Sequence, residues 1–250
     1  GCGPNALRCL LTGGKYALVR GFTLKDGHTP GWTANSGPHC GAVGLGGGLF
    51  ADCIFEDNVA EVSAAMYGGA CFRCVFKNNR SNRGVVNSST ALGCVVLSNV
   101  STLDIHQSFM SSCVNCTFYG NGSCANGNIA IAMYNCIVLK GHVGTSPPWV
   151  SSLHNTTREA AGLDEGYRPL LTSPAVDKAS REDYDRLFPA ALAGEKSVCL
   201  GNGQRVYNAA LDMGAFEFDY RETFAKTLKK SCLADVSASE DVSLGNGQVL

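Results

Sequence analysis

The sequence predicts an all-β protein: a right-handed, single-stranded parallel β-helix (solenoid) with an irregular C-terminal cap that carries short helices. The first observation is a cysteine that recurs every 20 to 22 residues, at Cys53, Cys74, Cys94, Cys116 and Cys136. A second is a phenylalanine or valine two positions after each cysteine, and a third is an asparagine five positions after four of them. Matched positions at so short a period indicate stacked coils of one solenoid.

The earliest coil that the pattern predicts is residues 16–24, in which Phe22 takes the cysteine position. The step from Phe22 to Cys53 is longer than one repeat, which predicts an inserted loop of roughly ten residues. This loop and a shorter one before the fourth cysteine contain the following histidines and tryptophan: His28, Trp32, His39 and His106. Because repeat proteins often carry function in such loops, these residues are candidates for a site.

Side-chain alternation predicts which residues of a coil face inward, when positions are numbered from the repeated cysteine as zero. Positions −4, −2, 0 and +2 share one parity and are predicted to point into the coil. Position +1 is then predicted to point outward, although all of its residues are β-branched: Ile54, Val75, Val95, Thr117 and Ile137. A long exposed apolar stripe favours aggregation, so the non-repetitive residues 150–230 are predicted to cover part of it.

The repeated cysteines and asparagines are both interpreted as structural ladders. Equivalent residues of successive coils lie about 4.8 Å apart with parallel Cβ vectors, which is poor disulfide geometry. A buried ladder of free, apolar thiols is therefore favoured. The asparagines are predicted to bond one another from coil to coil at a corner: Asn58, Asn79, Asn99 and Asn121.

Beyond Gly141 the repeat ends, and the chain is predicted to divide into β-helix coils, a capping segment packed on the solenoid, and a helix followed by the start of a truncated segment: 1–145, 146–218 and 219–250. A short helix is predicted over 180–187 with Ser180 as its N-cap. A second is predicted over 219–231, where acidic residues come early and lysines late.

Composition excludes several classes of function. A net charge of −1 and 16% charged residues argue against nucleic-acid binding and electrostatic membrane attachment. No apolar run approaches the roughly 18 residues needed for a membrane span. The sequence does not open with a signal-peptide pattern, and it is interpreted as a piece of a longer protein because the coil pattern begins so early.

No metal or other cofactor is predicted. Two CxxC pairs, Cys71–Cys74 and Cys113–Cys116, lie two coils apart, about 9.6 Å by the strand spacing. That separation is too large for one zinc ion, whose bonds to sulfur are about 2.3 Å. No sequence feature supports the alternative of a calcium site.

The candidates for chemistry lie at outward positions −1 and +3 and in the loops. A β-helix polysaccharide lyase needs a cation that neutralises a uronate carboxylate and a base that takes the adjacent proton. The catalytic candidates are Arg73, Lys77 and His106. The substrate-binding candidates are Asp52, Glu56, Tyr119 and Trp32. A structural interpretation is favoured, in which Asp52 pairs with Arg73 and Glu56 pairs with Lys77 across neighbouring strands.

Two later carboxylates, Asp212 and Glu217, flank a glycine and are interpreted as structural. Asp212 is expected to accept hydrogen bonds from turn amides.

The chain resembles the choice-of-anchor Q surface proteins, whose fold is shared with pectate-lyase-like enzymes. The likeness rests on the GGxxxxCxFxxN coil, on the coil at 19–27, and on two C-terminal phrases at 167–177 and 212–217. The resemblance implies bacterial export as part of a long surface protein, but it implies no activity, because one fold hosts many functions.

The sequence therefore predicts an extracellular surface module, a stalk or a binding domain for a polysaccharide or host glycan, without nucleic-acid binding or membrane insertion. The alternative is a polysaccharide lyase or glycoside hydrolase of the β-helix type. Five of the ten residues at −1 and +3 are uncharged Gly, Asn or Leu, which favours the module.

Overall fold

A computed structural model describes residues 7–12, 17–29, 42–43, 48–101, 110–121, 130–139, 149–150, 152–196, 198–200, 205 and 210–219. The strands of this part of the chain are β1 (Leu18–Arg20), β2 (Thr23–Lys25), β3 (His28–Thr29), β4 (Leu49–Ala51), β5 (Ile54–Glu56), β6 (Val59–Val62), β7 (Met66–Phe72), β8 (Val75–Lys77), β9 (Arg80–Arg83), β10 (Val86–Leu92), β11 (Val95–Leu97), β12 (Val100–Ser101), β13 (Met110–Val114), β14 (Thr117–Tyr119), β15 (Ala130–Tyr134), β16 (Ile137–Leu139), β17 (Trp149–Val150) and β18 (Leu153–Thr156). Its helices are α1 (Arg181–Leu187) and a 3₁₀ helix (Ala190–Glu195).

The strands form three sheets, and successive strands of the chain enter the sheets in turn. The first sheet has the order β1-β4-β7-β10-β13-β15-β17, the second β18-β16-β14-β11-β8-β5-β2, and the third β12-β9-β6-β3. Every pairing between these strands is parallel. The predicted all-β parallel β-helix is confirmed.

Two corners of each coil place a residue at positive φ. Position −1 joins the first sheet to the second, with φ between 50° and 61° at Asp52, Arg73, Gly93, Asn115 and Asn135. Position +4 joins the second sheet to the third, with φ between 51° and 59° at Asp57, Asn78, Ser98 and Gly120. Gly, Asn and Asp tolerate this left-handed conformation best, which explains why the corners are rich in them.

The predicted inward face is wrong upstream of the first corner. Position −3, not −2 or −4, fills the interior there, with Phe50, Cys71, Ala91, Cys113 and Met133 in the main core. Position −2 lies on the outer face of the first sheet, with Ala51, Phe72, Leu92 and Val114 packed against the C-terminal segment. A left-handed residue at −1 interrupts the strand alternation, so parity cannot be counted through it.

Downstream of that corner the predicted interior is confirmed. The repeated cysteines and the residues at +2 are buried in one core, in which the rings of Phe55 and Phe76 stack with centroids 4.7 Å apart. The Cys74 thiol donates to the carbonyl oxygens of Phe50 and Phe72, each at 3.4 Å. The thiols are free, and burial raises the pKa of Cys94 well above its ordinary value.

The asparagine ladder is also confirmed. The side-chain amide of Asn58 donates to Asn79 Oδ1, that of Asn79 to Asn99 Oδ1, and that of Asn99 to Asn121 Oδ1, each at 2.9 Å. Each Oδ1 also accepts from the backbone N–H of the preceding asparagine at 2.9 to 3.1 Å. All four residues are buried, so the ladder satisfies polar groups inside the solenoid.

The C-terminal segment covers the outer faces of the first and second sheets. Over the first sheet, the Phe188 ring packs edge-on against Phe72 with centroids 5.0 Å apart, and α1 begins at the predicted N-cap, where Ser180 Oγ accepts from Asp183 N at 3.2 Å. Over the second sheet, Met213 packs with Ile137. At +1 the last three residues of the stripe, Val95, Thr117 and Ile137, are buried, whereas Ile54 and Val75 are half-buried.

The chain divides into two compact units, Gly1–Phe218 and Asp219–Leu250. All of the helices and strands above belong to the first unit. Apart from Asp219, the helix predicted over 219–231 lies outside the described residues. Among the helices that the structure describes, none is long and apolar enough to cross a membrane.

Candidate functional site

Position +3 forms an in-register row along the outer face of the second sheet, called the outer row below. Its members are Lys25, Glu56, Lys77, Leu97 and Tyr119, each the direct pairing partner of the next. Three predicted site residues, Glu56, Lys77 and Tyr119, are thereby brought onto one surface. Position +3 shares its face with +1, where Ile54 and Val75 remain half-exposed beside the charged part of the row.

The charged part of the outer row contains one of the two predicted ion pairs. Lys77 Nζ lies 2.7 Å from Glu56 Oε1, and both side chains are partly accessible to solvent. A cross-strand pair of this kind contributes roughly 0.2 to 1 kcal/mol, so it leaves both groups able to exchange partners. Lys77 and Glu56 are therefore available to a polar ligand at a small energetic cost.

The other end of the outer row is aromatic. The Tyr119 ring meets that of Tyr167 from the capping segment with centroids 5.0 Å apart, and Tyr119 remains 38% exposed. Burial and the neighbouring Tyr119 raise the pKa of the Tyr167 phenol, while Arg158 lowers it. Sequence reasoning missed Tyr167, because a residue outside the repeat has no register that would place it beside Tyr119.

Asp52 and Arg73, the other predicted pair, lie at the first corner. Arg73 Nε and Nη2 bind the two carboxylate oxygens of Asp52 at 2.7 and 2.8 Å, which confirms the pairing. Arg73 Nη2 also binds Glu195 Oε2 at 2.6 Å, and Arg20 bridges Glu195 and Asp52 from the preceding coil. Hydrogen bonding from Arg20 is the largest cause that lowers the pKa of Glu195.

This corner network fastens the cap to the solenoid and encloses a candidate catalytic cation. The Arg73 side chain is only 5% exposed, and its guanidinium also lies over the Phe72 ring at 4.4 Å. Two arginines and two carboxylates balance one another's charge. Arg73 therefore has a structural role and leaves little surface for a substrate. This role depends on Glu195, which lies outside the repeat, so the repeat alone could not predict it.

The loop candidates fall mostly outside the described residues. Trp32, His39 and His106 are among those that the structure does not describe, so their roles stay predictions. His28 lies at the start of β3, on the third sheet.

The capping segment contains a second buried network, formed by charged side chains and backbone N–H groups. As predicted, Asp212 accepts backbone hydrogen bonds, from Asp177 N at 2.7 Å and from Phe218 N at 2.6 Å. Glu217 accepts from the Asp212 backbone N–H and lies 3.3 Å from Arg205 Nε, with the two side chains 2% and 1% exposed. Burial raises the pKa of Glu217 to about 9, although Arg205 acts in the opposite direction.

Within the part of the chain that the structure describes, no group of three His, Cys, Asp or Glu side chains is arranged to hold a metal ion. No protein-family model matches the chain, and comparison with curated proteins and with solved structures found no significant match. No family match therefore supports the resemblance to choice-of-anchor Q or pectate-lyase-like proteins. The coarser description, a parallel β-solenoid, rests on the observed sheets.

Proposed function

We propose that this chain is a glycan-binding module whose binding surface is the outer row. The observation that carries the proposal is the in-register sequence of charged and aromatic side chains that ends at the Tyr119–Tyr167 pair. Neighbouring strands lie about 4.8 Å apart, so the step from Lys77 to Tyr119 spans about 10 Å. A saccharide chain lying across the strands contacts successive coils in turn.

Each part of the outer row suits a different part of a sugar. The apolar C–H face of a pyranose ring packs on a partly exposed tyrosine, whose hydroxyl still hydrogen-bonds at the rim. Lys77 donates to ring hydroxyls or to a uronate carboxylate, and Glu56 accepts from hydroxyls. Leu97, half-buried between these two parts, provides an apolar contact without competing hydrogen bonds.

Binding is favoured over the lyase or hydrolase alternative by the partners of the candidate cations. Arg73 is held between Asp52 and Glu195, and Lys77 is paired with Glu56. Arg73 is thereby enclosed, and among the described residues neither cation is placed beside a base that lacks a partner. The enzyme alternative therefore depends on His106, which lies outside them.

We infer a module of a longer bacterial surface protein displayed outside the cell, with a polysaccharide or host glycan as its partner. The support is the resemblance of the coils and of the segments around Asp177 and Asp212 to choice-of-anchor Q surface proteins. A hydrogen bond from Asp177 N to Asp212 Oδ1 joins these two segments. The buried position of the repeated thiols is compatible with an oxidising environment, because oxidation requires access to the sulfur.

The proposal is tested by a glycan array run beside an assay for unsaturated uronate products. We expect binding without product, and we expect Tyr119→Ala to weaken binding about three- to tenfold, the range for loss of one aromatic contact. Tyr67→Ala, which removes a half-buried tyrosine from the first sheet, is the matched control.

Three other results are informative. Accumulation of unsaturated product would move the assignment to the lyase. Equal binding by wild type and Tyr119→Ala would remove the outer row from the proposal. No binding to any glycan would leave a structural stalk as the better description.

A further inference from the structure

A pocket of about 320 Å³ opens on the third sheet, away from the outer row. Strands β3, β6 and β9 form it, and its lining includes His28, Val59, Glu61, Arg80 and Asn82. This volume is near the lower end of the range for small-molecule sites, so the pocket fits one compact ligand.

The register of the third sheet determines which side chains point outward into this pocket. His28, Val59 and Arg80 are direct pairing partners and form one outward column. Glu61 and Asn82, two positions further along β6 and β9, share the same face. Asn82 Nδ2 donates to Glu61 Oε2 at 2.6 Å, which fixes the orientation of the carboxylate beside the pocket.

Three groups that line this pocket lack partners among the described residues, and one of them is Thr29 Oγ1. Arg80 is exposed and takes part in none of the ion pairs of the described part of the chain. His28 Nδ1 is buried there without a hydrogen-bond partner. A buried polar atom without a partner is unfavourable and calls for an explanation, and an incoming hydrogen-bonding group is one.

We propose that this pocket binds a single acidic sugar unit of the uronate class. The ligand carboxylate pairs with the Arg80 guanidinium, whose fork matches carboxylate geometry. The apolar face of the sugar ring lies over Val59, which separates Arg80 from His28. The ring hydroxyls donate to Glu61 on the next column.

Glu61 makes the pocket favour a sugar acid over a simple anion as its ligand. Its carboxylate repels a compact anion such as phosphate, which has few hydroxyl groups to donate. It favours a ligand that carries its negative charge at one end and hydroxyl donors at the other, as a uronate does. The inference rests on the proposed function only in choosing a sugar, since the pocket and the outer row lie on different sheets.

The experiment is a titration of the full chain with glucuronate, glucose and acetate, followed by NMR and calorimetry. We expect saturable glucuronate binding, and binding of glucose and of acetate each at least about tenfold weaker. Arg80→Gln is expected to lower glucuronate affinity about tenfold while leaving that for glucose unchanged. Glu61→Gln is expected to weaken glucose and glucuronate binding and to strengthen acetate binding, because the carboxylate that repels a compact anion is removed.

A control variant separates the role of Arg80 from that of any exposed arginine. Arg181→Gln removes an exposed arginine on α1 and is not expected to alter glucuronate binding. Glucuronate affinity that survives in Arg80→Gln, equal affinity for acetate and glucuronate, or no saturable glucuronate binding would each overturn the inference. If the outer row alone is wrong, Tyr119→Ala leaves polysaccharide binding intact while the Arg80→Gln effect persists.

Discussion

The solenoid and its capping segment are stabilised in different ways. In the solenoid a side chain meets its own equivalent one coil away, as Asn79 meets Asn58 and Asn99. In the cap each contact occurs once, as where Asp212 binds the backbone of Asp177 and Phe218.

This contrast indicates which structural features can be recognised in the sequence. A repeated contact appears in the sequence as a column, and the fold can be inferred from it. A contact that occurs once produces no periodic pattern in the sequence. Two such contacts are the Arg73–Glu195 ion pair at the corner and the Tyr119–Tyr167 ring contact at the end of the outer row. We expect stability to be divided between solenoid and cap in the same way.

The largest effect is expected in the middle of the asparagine ladder. Asn79→Ala removes the acceptor for two donors of Asn58 and the donor to Phe55 O and Asn99 Oδ1. Buried groups left unsatisfied cost roughly 1 to 3 kcal/mol each, so we expect a loss of about 4 kcal/mol in the free energy of unfolding. Urea denaturation followed by circular dichroism measures it.

Asn82→Ala is the matched control, because Asn82 lies at the same coil level but on the outer surface. It is expected to cost no more than about 0.5 kcal/mol. Equal losses in Asn79→Ala and Asn82→Ala would show that the ladder adds nothing beyond ordinary surface hydrogen bonds.

Much of the solenoid could be predicted because the same physical constraint acts in every coil. The columns at 0, +2 and +5, the two ion pairs between neighbouring coils and the Ser180 cap all follow from local rules. The inward face before the corner was predicted incorrectly, because a left-handed residue at −1 reverses the alternation. Gly93, Asn115 and Asn135 at position −1 are residue types that favour a left-handed corner. Arg73 at the same position is not, so the column as a whole did not indicate one.

A smaller and more local effect is expected in the cap. Asp212→Ala removes the acceptors of two backbone hydrogen bonds, from Asp177 N and Phe218 N, and a typical bond contributes roughly 0.5 to 1.5 kcal/mol net. We expect a loss of about 2 to 3 kcal/mol that appears in hydrogen exchange as faster opening of the cap amides. Solenoid amides such as that of Asn79 should keep their protection; a uniform loss of protection would mean that cap and solenoid unfold together.

The buried Glu217 is expected to make stability depend on pH. Because burial raises its pKa to about 9 from an ordinary 4.5, the folded chain retains a proton that the unfolded chain releases. Folding therefore takes up a proton between these values, and stability falls as pH rises through that range and levels off above about 9. Glu217→Gln should flatten this slope in thermal unfolding measured from pH 5 to 9, whereas a slope unchanged in the variant would assign it to other groups.

The smallest effect on the free energy of unfolding is expected at the cysteine ladder. This column is stabilised mainly by packing, whereas the asparagine column is stabilised by hydrogen bonds. Cys74→Val keeps a small apolar side chain in the core and removes weak hydrogen bonds of the thiol, among them those to Phe50 O and Phe72 O. We expect a change below about 1 kcal/mol in the free energy of unfolding. If the loss reaches several kcal/mol and mass spectrometry finds a bridge in the wild type that the variant lacks, the column is a covalent staple. The solenoid would then, like the cap, depend on a unique link instead of a repeated contact.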